Sequence, residues 1–335
     1  MYITVIYNEP VSSYYSGTGE ESAVQGVVTE AAAVKKALLE SGYHIACVPL
    51  SFPLEKARGI LYTLKTDVVF NLFEGFPGYP DTEADICQVL TDLDISYTGC
   101  PPQALRLALN KAETKSLLKN GGVATPDFQL LTPATLSDFY LKFPCIIKPN
   151  SEDASHGITE DSVVHTFQEM ETQIKKVSTQ YRTGEALVEE YIDGREFNVT
   201  VTGNRMKKVL AISEIEFSLP PELPSIITYA GKWEVESQYY KGTKPVCPAQ
   251  ITEKEKQKII ETTEKACTIT RCRGYARVDM RMDKQGSIYV LEVNPNPDIS
   301  PDSGAALQAK TIGMTYNEFI RSLVLLALED DDSGS

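Results

Sequence analysis

Strand-like and helix-like segments alternate over the first hundred residues, and this alternation constrains the fold more than any other feature of the sequence. Apolar runs predict strands at residues 2–7, 44–50 and 67–72, with a short one at 95–97. Helices are predicted between them at residues 31–39 and 85–93. Such a β-α-β rhythm is typical of a small parallel sheet covered by helices.

Beyond Pro101-Pro102 the pattern changes, and we predict a domain boundary there. Helices are predicted at residues 104–119, 163–177 and 253–271, and strands at 143–148, 186–191, 197–202 and 207–212. The stretch 217–248 has five prolines and little periodicity, which is typical of a functional or disordered loop. A hairpin is predicted from strands at 275–282 and 287–293, followed by a helix that ends at Leu328.

The balance of charge limits the classes of partner. The chain has 335 residues and a formal net charge of −14, from 46 acidic and 32 basic side chains. This excludes nucleic acid as an expected partner, because phosphate affinity needs basic patches. The excess of acid fits plain solubility, and it also fits carboxylates that hold metal ions. Composition does not choose between these two interpretations.

The sequence contains no membrane or secretion signal. No apolar run reaches the roughly 18 residues that a membrane span needs, and the N-terminus lacks a signal-peptide pattern, so we expect a cytoplasmic protein without a membrane partner. The seven cysteines include no C-x-x-C pair. We therefore predict reduced, mostly buried thiols rather than a disulfide framework or a zinc site.

The predicted hairpin carries the most informative pattern. Alternate residues of a strand share a face, so Arg277 and Asp279 point to one side of the first strand. Glu292 and Asn294 do the same in the second strand, with Leu291 in the core. A four-residue turn predicts that Arg277 lies opposite Glu292. The patch is either a surface ladder of ion pairs or a Mg²⁺ site with two carboxylates and an amide oxygen.

Two further segments give weak signals when each is taken alone. Lys148 ends an apolar strand, and it is either a surface lysine or a phosphate ligand. A Ser/Gly loop follows it as far as Gly157, and the backbone N–H groups of such a loop can face phosphate oxygens. Residues 187–197 form a predicted strand, turn and strand with several acidic side chains.

Together, and in this order, the three segments resemble the ATP-grasp superfamily, and most closely its D-alanine–D-alanine ligase branch. Residues 69–75, 95–99 and Asn110-Lys111 are similar to the same family, so the resemblance covers residues 1–325. It implies an ATP-grasp fold of class α/β and α+β. The implied domains are a parallel-sheet pre-ATP-grasp domain at 1–103, a small central α+β domain at 104–183 and a C-terminal antiparallel-sheet domain at 184–328. Residues 329–335 are expected to form a disordered acidic tail.

The resemblance also implies ATP as a cofactor together with Mg²⁺, as two ions for which Mn²⁺ could substitute. Asp279, Glu292 and Asn294 match the metal ligands, and the implied catalytic residues are Arg277, Lys232 and Ser155. Residues 189–192 match the strand that holds adenine, Glu196 matches the ribose-binding carboxylate and Lys232 matches a lysine at the γ-phosphate. The full set expected to contact ATP is Lys111, Lys148, Ser155, Gly157, Glu189, Glu190, Tyr191, Ile192, Glu196 and Lys232.

The positions that match the family's amino-acid site differ from the family. The Glu, Ser and Tyr that place the first D-alanine correspond here to Gln25, Ala154 and Trp233, and the acids near the first of them are Glu20, Glu21 and Glu30. Asp298 stands where a glycine N–H would help to form the oxyanion hole. An acid near the second substrate would suit an amine and repel a carboxylate. The candidate substrate residues are Gln25, Trp233, Asp298, Asp302, Ser303 and Gly304.

We therefore expect an ATP-dependent carboxylate–amine ligase that forms an amide or peptide bond through an acyl phosphate. Its small-molecule substrates are expected to differ from a pair of D-alanines. Three alternatives stay open: a true D-alanine–D-alanine ligase, a nucleotide-binding sensor or partner subunit without ligase activity, and a carboxylate–thiol ligase or kinase-like variant. The resemblance also implies a homodimer formed through the N-terminal domain.

Overall fold

The structure is a computed structural model that describes residues 1–10, 21–152 and 155–329, without the side chains of residues 21–25. The predicted acidic tail beyond Glu329 lies outside the described residues, as does Ala154. Within the described residues the strands form one parallel sheet and two antiparallel sheets, which confirms the predicted class of fold.

The first sheet is parallel, with β1 between β2 and β3. Its strands are β1 (Tyr2–Asn8), β2 (His44–Leu50) and β3 (Val68–Leu72). The helices that follow them are α1 (Glu21–Glu40), α2 (Leu54–Leu61) and α3 (Thr82–Asp92). The predicted strand at 95–97 is wrong: only Tyr97 bridges to Val69, because the chain turns away at Gly99, where φ is 96°.

Helices from both halves of the chain cover this sheet. On one face, Ile3 and Val5 pack with α1 and with two late helices, α10 (Gly304–Thr311) and α11 (Tyr316–Leu328). On the other face, Ile6 and Val69 pack with α2 and α3. Each face of the sheet therefore has its own apolar core, and one core is completed by residues distant in sequence.

The second sheet is antiparallel, in the order β4-β7-β5-β6. Its strands are β4 (Phe128–Leu131), β5 (Cys145–Pro149), β6 (Val163–Val164) and β7 (Ala186–Glu190), covered by α6 (Phe167–Gln180). The predicted helix at 163–177 is wrong at its start, because Val163 and Val164 pair with β5. The helix begins only after Thr166, whose hydroxyl accepts the N–H of Glu169 as an N-cap.

Two helices lead into this sheet where one was predicted at 104–119. They are α4 (Pro102–Leu109) and α5 (Lys111–Asn120). Asn110 interrupts them because its backbone is extended, with φ −97° and ψ 90°, and its side chain caps α5 by accepting the N–H of Glu113. The break turns α5 so that its first residue, Lys111, reaches the cleft between the two antiparallel sheets.

The third sheet is antiparallel, in the order β10-β9-β8-β11-β12, and α9 (Glu253–Ile269) packs on it. Its strands are β8 (Gly194–Thr202), β9 (Lys208–Phe217), β10 (Thr243–Val246), β11 (Tyr275–Asp283) and β12 (Ile288–Asn294). The prediction that residues 217–248 lack regular structure is wrong. They contain β10 and two short helices, α7 (Tyr229–Trp233) and α8 (Gln238–Gly242).

The predicted register of the β11–β12 hairpin is also wrong. Asp279, and not Arg277, lies opposite Glu292, while Arg277 pairs with Asn294. The register shifts after Asp279, so that Leu291 is an extra residue on β12. The register beyond a β-bulge cannot be predicted by counting residues from the turn, because one strand contributes two residues where its partner contributes one.

All seven cysteines are free thiols, and five of them are buried, as predicted. None of the described helices combines the length and the hydropathy that a bilayer span requires.

Gly274 closes the junction between the first and third sheets, and its substitution should destabilise the protein. Its φ is +67°, and an added Cβ would lie 2.9 Å from the backbone oxygen of Gly99. Gly286, in the hairpin turn, has a similar φ of +79° and open space around it. We expect G286A to lower the unfolding free energy by roughly 1–2 kcal/mol, because alanine there must adopt only an unfavourable left-handed backbone conformation. G274A should lower the unfolding free energy by about 1–3 kcal/mol more than G286A, because the backbone at Gly99 must also move.

Urea unfolding of the two variants checks this. Equal losses of unfolding free energy in G274A and G286A would show that the Gly99 contact does not constrain the junction.

Candidate functional site

A cavity lies between the second and third sheets and collects most of the predicted site residues. Its walls come from β5 and β7 on one side and from β8, β11 and β12 on the other, with the loops around Ser155 and Ile227 at its mouth. The predicted residues that line it are Lys111, Lys148, Ser155, Glu189, Glu190, Tyr191, Ile192, Glu196, Lys232, Arg277, Asp279 and Glu292. Leu291 also lines it, contrary to the prediction that this residue lies in the core.

Arg277 and Asp279 form one half of the charged floor of this cavity. The Arg277 guanidinium donates to both carboxylate oxygens of Asp279, at 2.7 Å and 2.8 Å. Asn198, directly across on β8, donates to the same carboxylate at 2.7 Å. The Asp279 carboxylate is therefore held in one orientation. Asn198 was not predicted as a site residue, although the alternation of apolar residues along β8 indicates that its side chain is on the face that lines the cavity.

Glu292 forms the other half of the floor and pairs with a lysine from α5. The Nζ of Lys111 donates to Glu292 Oε1 at 2.7 Å. Burial opposes the negative charge of Glu292, but Lys111, Lys148 and Lys232 outweigh it and lower the pKa of Glu292 to about 2. Three cations thus act on one carboxylate, and Glu292 stays ionised at neutral pH.

A buried ion-pair network forms the back wall. Glu189 is 1% exposed, and its two oxygens lie 3.1 Å from the amines of Lys115 and Lys148. Lys115 also donates to Thr125 and to the backbone oxygen of Leu291. Burial lowers the pKa of Lys115 to about 8, although Glu189 acts in the opposite direction.

Glu189 keeps its charge in this network. Burial disfavours the carboxylate, but Lys115 and Lys148 outweigh burial and lower its pKa. Lys115 was missed from the sequence, although its position one helical turn after Lys111 puts both amines on the same face of α5.

Glu196 lines the cavity with a partner that the sequence reasoning did not assign to the site. Arg281 donates to Glu196 Oε2 at 3.0 Å and 2.8 Å, and also to the backbone oxygen of Ile192 at 2.8 Å. The guanidinium lies 5.1 Å from the ring centroid of Tyr191. Arg281 therefore ties β8 to the segment that follows β7.

Two loops approach each other over the mouth of the cavity. Ser155 has a left-handed backbone, with φ 62°, and the next residue, His156, lies with its ring 5.6 Å from that of Tyr229 on α7. Gly157 does not line the cavity; an added Cβ there would lie 2.6 Å from the hydroxyl of Tyr181. Its role in this structure is to let the loop pack closely against α6.

The predicted substrate residues whose side chains the structure describes do not line this cavity. Trp233, on α7, packs against Gly26 of α1, and its buried indole nitrogen has no hydrogen-bond partner among the described residues. Ser303 caps α10 by accepting the N–H of Ala306, and Gly304 begins that helix. Asp302 is exposed. The backbone of Gln25 belongs to α1, while its side chain lies outside the described residues.

Asp279 and Glu292 are the two side chains that could hold a metal ion here. They face each other across the hairpin, and each carboxylate keeps lone pairs beyond its present hydrogen bonds. Asn294 lies two residues after Glu292, on the same face of β12, and its side-chain oxygen accepts the N–H of Asn296 at 2.9 Å. The described residues contain no cluster of three or more His, Cys, Asp or Glu suited to a metal. Two carboxylates suit Mg²⁺, which keeps waters and substrate phosphates as its other ligands.

Comparisons of sequence place the chain among known proteins. A family model described as D-ala D-ala ligase C-terminus matches residues 117–325. An uncharacterized protein of Sinorhizobium fredii, y4sG, is 33% identical over 82% of this chain and 81% of its own length. A D-alanine–D-alanine ligase of Carboxydothermus hydrogenoformans is 30% identical over 89% of this chain and 92% of its own.

Solved structures agree on the fold. A D-alanine–D-alanine ligase of Bacillus anthracis, in a crystal complex with ATP, matches with a TM-score of 0.75 and 22% identity, over 98% of this chain and 97% of that one. The VanG D-Ala:D-Ser ligase of Enterococcus faecalis matches with a TM-score of 0.76 and 21% identity, over 98% and 99%. The chain therefore belongs to the D-alanine–D-alanine ligase family, whose members are ADP-forming ATP-grasp ligases that make carbon–nitrogen bonds.

Proposed function

We propose that this protein joins a carboxylate to an amine at the expense of ATP, through an acyl phosphate. The observation that carries the proposal is the pairing of Asp279 with Glu292 beside Arg277, in a cavity that Lys148 and Lys232 also line. Phosphoryl transfer depends on positioning and on neutralising charge rather than on covalent help from the protein. Two carboxylates among several cations suit this task.

The proposed reaction has two steps. A substrate carboxylate attacks the γ-phosphorus of ATP, the bond to the bridging oxygen breaks, and ADP leaves. The amine then attacks the carbonyl carbon of the acyl phosphate, loses a proton, and displaces phosphate. Arg277 is placed to stabilise negative charge on the transferred phosphoryl group and on the tetrahedral intermediate. The net products are an amide, ADP and phosphate.

The proposed place for ATP is the cavity between the two antiparallel sheets. Residues 189–192 would hold the adenine, and Glu196 the ribose, as in the resemblance. Lys111, Lys148 and Lys232 would contact phosphates, with Ser155 in the loop above them. The presence of ATP in the Bacillus anthracis structure of the same fold supports ATP as the ligand, although not its exact place.

Asp279, Glu292 and Asn294 are the proposed ligands of Mg²⁺. The hydrogen bonds from Arg277 and Asn198 hold Asp279 in one orientation, and Lys111 does the same for Glu292. When bound, the metal supplies positive charge at the transferring phosphoryl group. Lys111 would share the Glu292 carboxylate with the metal.

The loops at the mouth would keep water from the acyl phosphate. The contact between His156 and Tyr229 brings the loop after β5 to the helix that carries Lys232. Exclusion of water protects a reactive intermediate and strengthens every charge interaction inside the site.

We further propose that the substrates differ from a pair of D-alanines. Trp233 occupies the position of the family's tyrosine, and Asp298 that of its glycine, so the amino-acid side of the site is altered while the nucleotide side is kept. A true D-alanine–D-alanine ligase is the second candidate, because a relative of that name is 30% identical over 89% of this chain.

Removing the charge of Asp279 should slow turnover strongly. We expect D279N to release ADP on the order of a hundredfold more slowly than the wild type, because the metal and Arg277 both lose their anionic partner. Coupled measurement of ADP release under saturating Mg²⁺ checks this. D193N, which removes an exposed surface carboxylate paired with Lys284, is the matched control and should keep the wild-type rate. A rate for D279N close to that of D193N would contradict the metal assignment.

The substrate proposal predicts a preference within a panel of acids and amines. With D-alanine as both substrates, ADP release should be slower by at least about tenfold than with the best other pair, the discrimination that a reshaped pocket provides. ADP release with each pair, followed by mass spectrometry of the product, checks this. If D-alanine alone gives the fastest turnover, the second candidate replaces the first.

A further inference from the structure

A buried carboxyl group outside the nucleotide cavity is not used by the proposed reaction. Glu30 lies on α1 and is 5% exposed. Its Oε1 accepts the N–H of Ile299 at 2.8 Å, in the loop that follows the hairpin strand β12. This hydrogen bond links the first helix to the segment that carries Asp298.

The second partner of Glu30 is another carboxyl group. Asp298 is exposed, and its side chain lies within hydrogen-bonding distance of the Glu30 carboxyl. Two carboxyl groups this close do not both stay ionised, because like charges repel and the buried one has lost its hydration. A proton on the buried member makes the contact a hydrogen bond from Glu30 to Asp298.

The other groups that face Glu30 add negative charge or are phenols. Burial is the largest cause that raises the pKa of Glu30. The negative charges of Glu74, after β3, and of Asp298 raise it further. Tyr275 of β11 and Tyr316 of α11 also lie close enough for Glu30 to raise their pKa values. The N–H of Ile299 acts in the opposite direction, but the net effect is a pKa well above that of an ordinary glutamate.

The segment that Glu30 holds borders the reaction centre. Asp298 lies close enough to Arg277 to raise the pKa of that guanidinium. The same loop is tied down at its other end by Asn296, which donates to Glu83 at 2.8 Å and accepts from Tyr275 at 3.1 Å. Between these two ties lies the backbone of Asp298, at the position where the family's glycine serves the oxyanion.

We propose that Glu30 is a positioning residue that carries a proton in the folded protein. Its carboxylic acid donates to Asp298 and accepts from the Ile299 N–H, and so fixes the Asp298–Ile299 segment beside Arg277. This role deepens the proposed ligase function and rests on it, whereas the protonation of Glu30 can be measured without any activity.

The first experiment measures protonation through stability. An acid whose pKa rises on folding contributes stability that is present at low pH and is lost as the pH rises through the folded-state value. The urea midpoint of the wild type relative to E30Q should therefore fall as the pH rises from about 5 to about 8, above the range of an ordinary glutamate. E40Q, the same change at an exposed site on α1, should show no such trend relative to the wild type. A constant difference between E30Q and wild type over this range would overturn the protonation of Glu30.

The second experiment measures positioning through kinetics. E30L removes both hydrogen bonds, and kcat for ADP release should fall on the order of tenfold, with KM for the amine unchanged. E30Q can accept from Ile299 and donate to Asp298, so it should restore kcat. If E30Q instead raises KM for the amine as much as E30L does, Glu30 is ionised and binds that substrate, and the proposal is wrong. If the wild type releases no ADP with any pair, the proposed ligase function fails, while the stability experiment still decides the protonation.

Discussion

The cleft depends on opposite charges that are buried together. Lys115 and Glu189 are both almost fully inaccessible, and the pair joins α5 to the central antiparallel sheet while the same amine holds the backbone of Leu291 on the hairpin. Removing one partner of such a pair costs about 3–5 kcal/mol, because the other charge stays buried without compensation. This pair therefore holds the two sheets at a set distance across the cavity. Lys148 and Lys111 are more exposed than Lys115, and they lie on the open side of the site.

Much of the site could be predicted because its residues follow simple periodicities. Arg277 and Asp279 share a face of one strand, and Glu292 belongs to the next, so the charged patch follows from alternation alone. What the sequence did not reveal was the bulge at Leu291, because an extra residue in a strand leaves no mark in the pattern of apolar and polar residues. The bulge accounts for one residue of the error and the turn for the other, because Met282 pairs with Ile288. The partner of Arg277 is therefore Asn294, two residues beyond the predicted Glu292.

Other errors have a common origin in side chains that satisfy backbone groups. Asn110 and Thr166 each begin a helix by accepting an N–H, and both positions fell inside segments that were predicted as continuous helix. Contacts between residues that are distant in sequence also could not be predicted. The contact of Glu30 with Ile299 and the pairing of Arg281 with Glu196 join elements whose proximity only the tertiary fold determines. The family resemblance identified the chemistry of the site, while these contacts account for its geometry.

One apolar core of the first sheet is completed by helix α11, which lies near the other end of the described chain. Phe319, Leu323 and Val324 share one apolar core with Ile3 and Val5 of strand β1. Helix α1 covers part of this face of the sheet, and the rest of it stays uncovered until α11 is made. Contacts of such long sequence separation slow folding and leave apolar surface exposed in partly made chains. During synthesis the first sheet thus exposes apolar surface until the helices at the other end of the described chain are made.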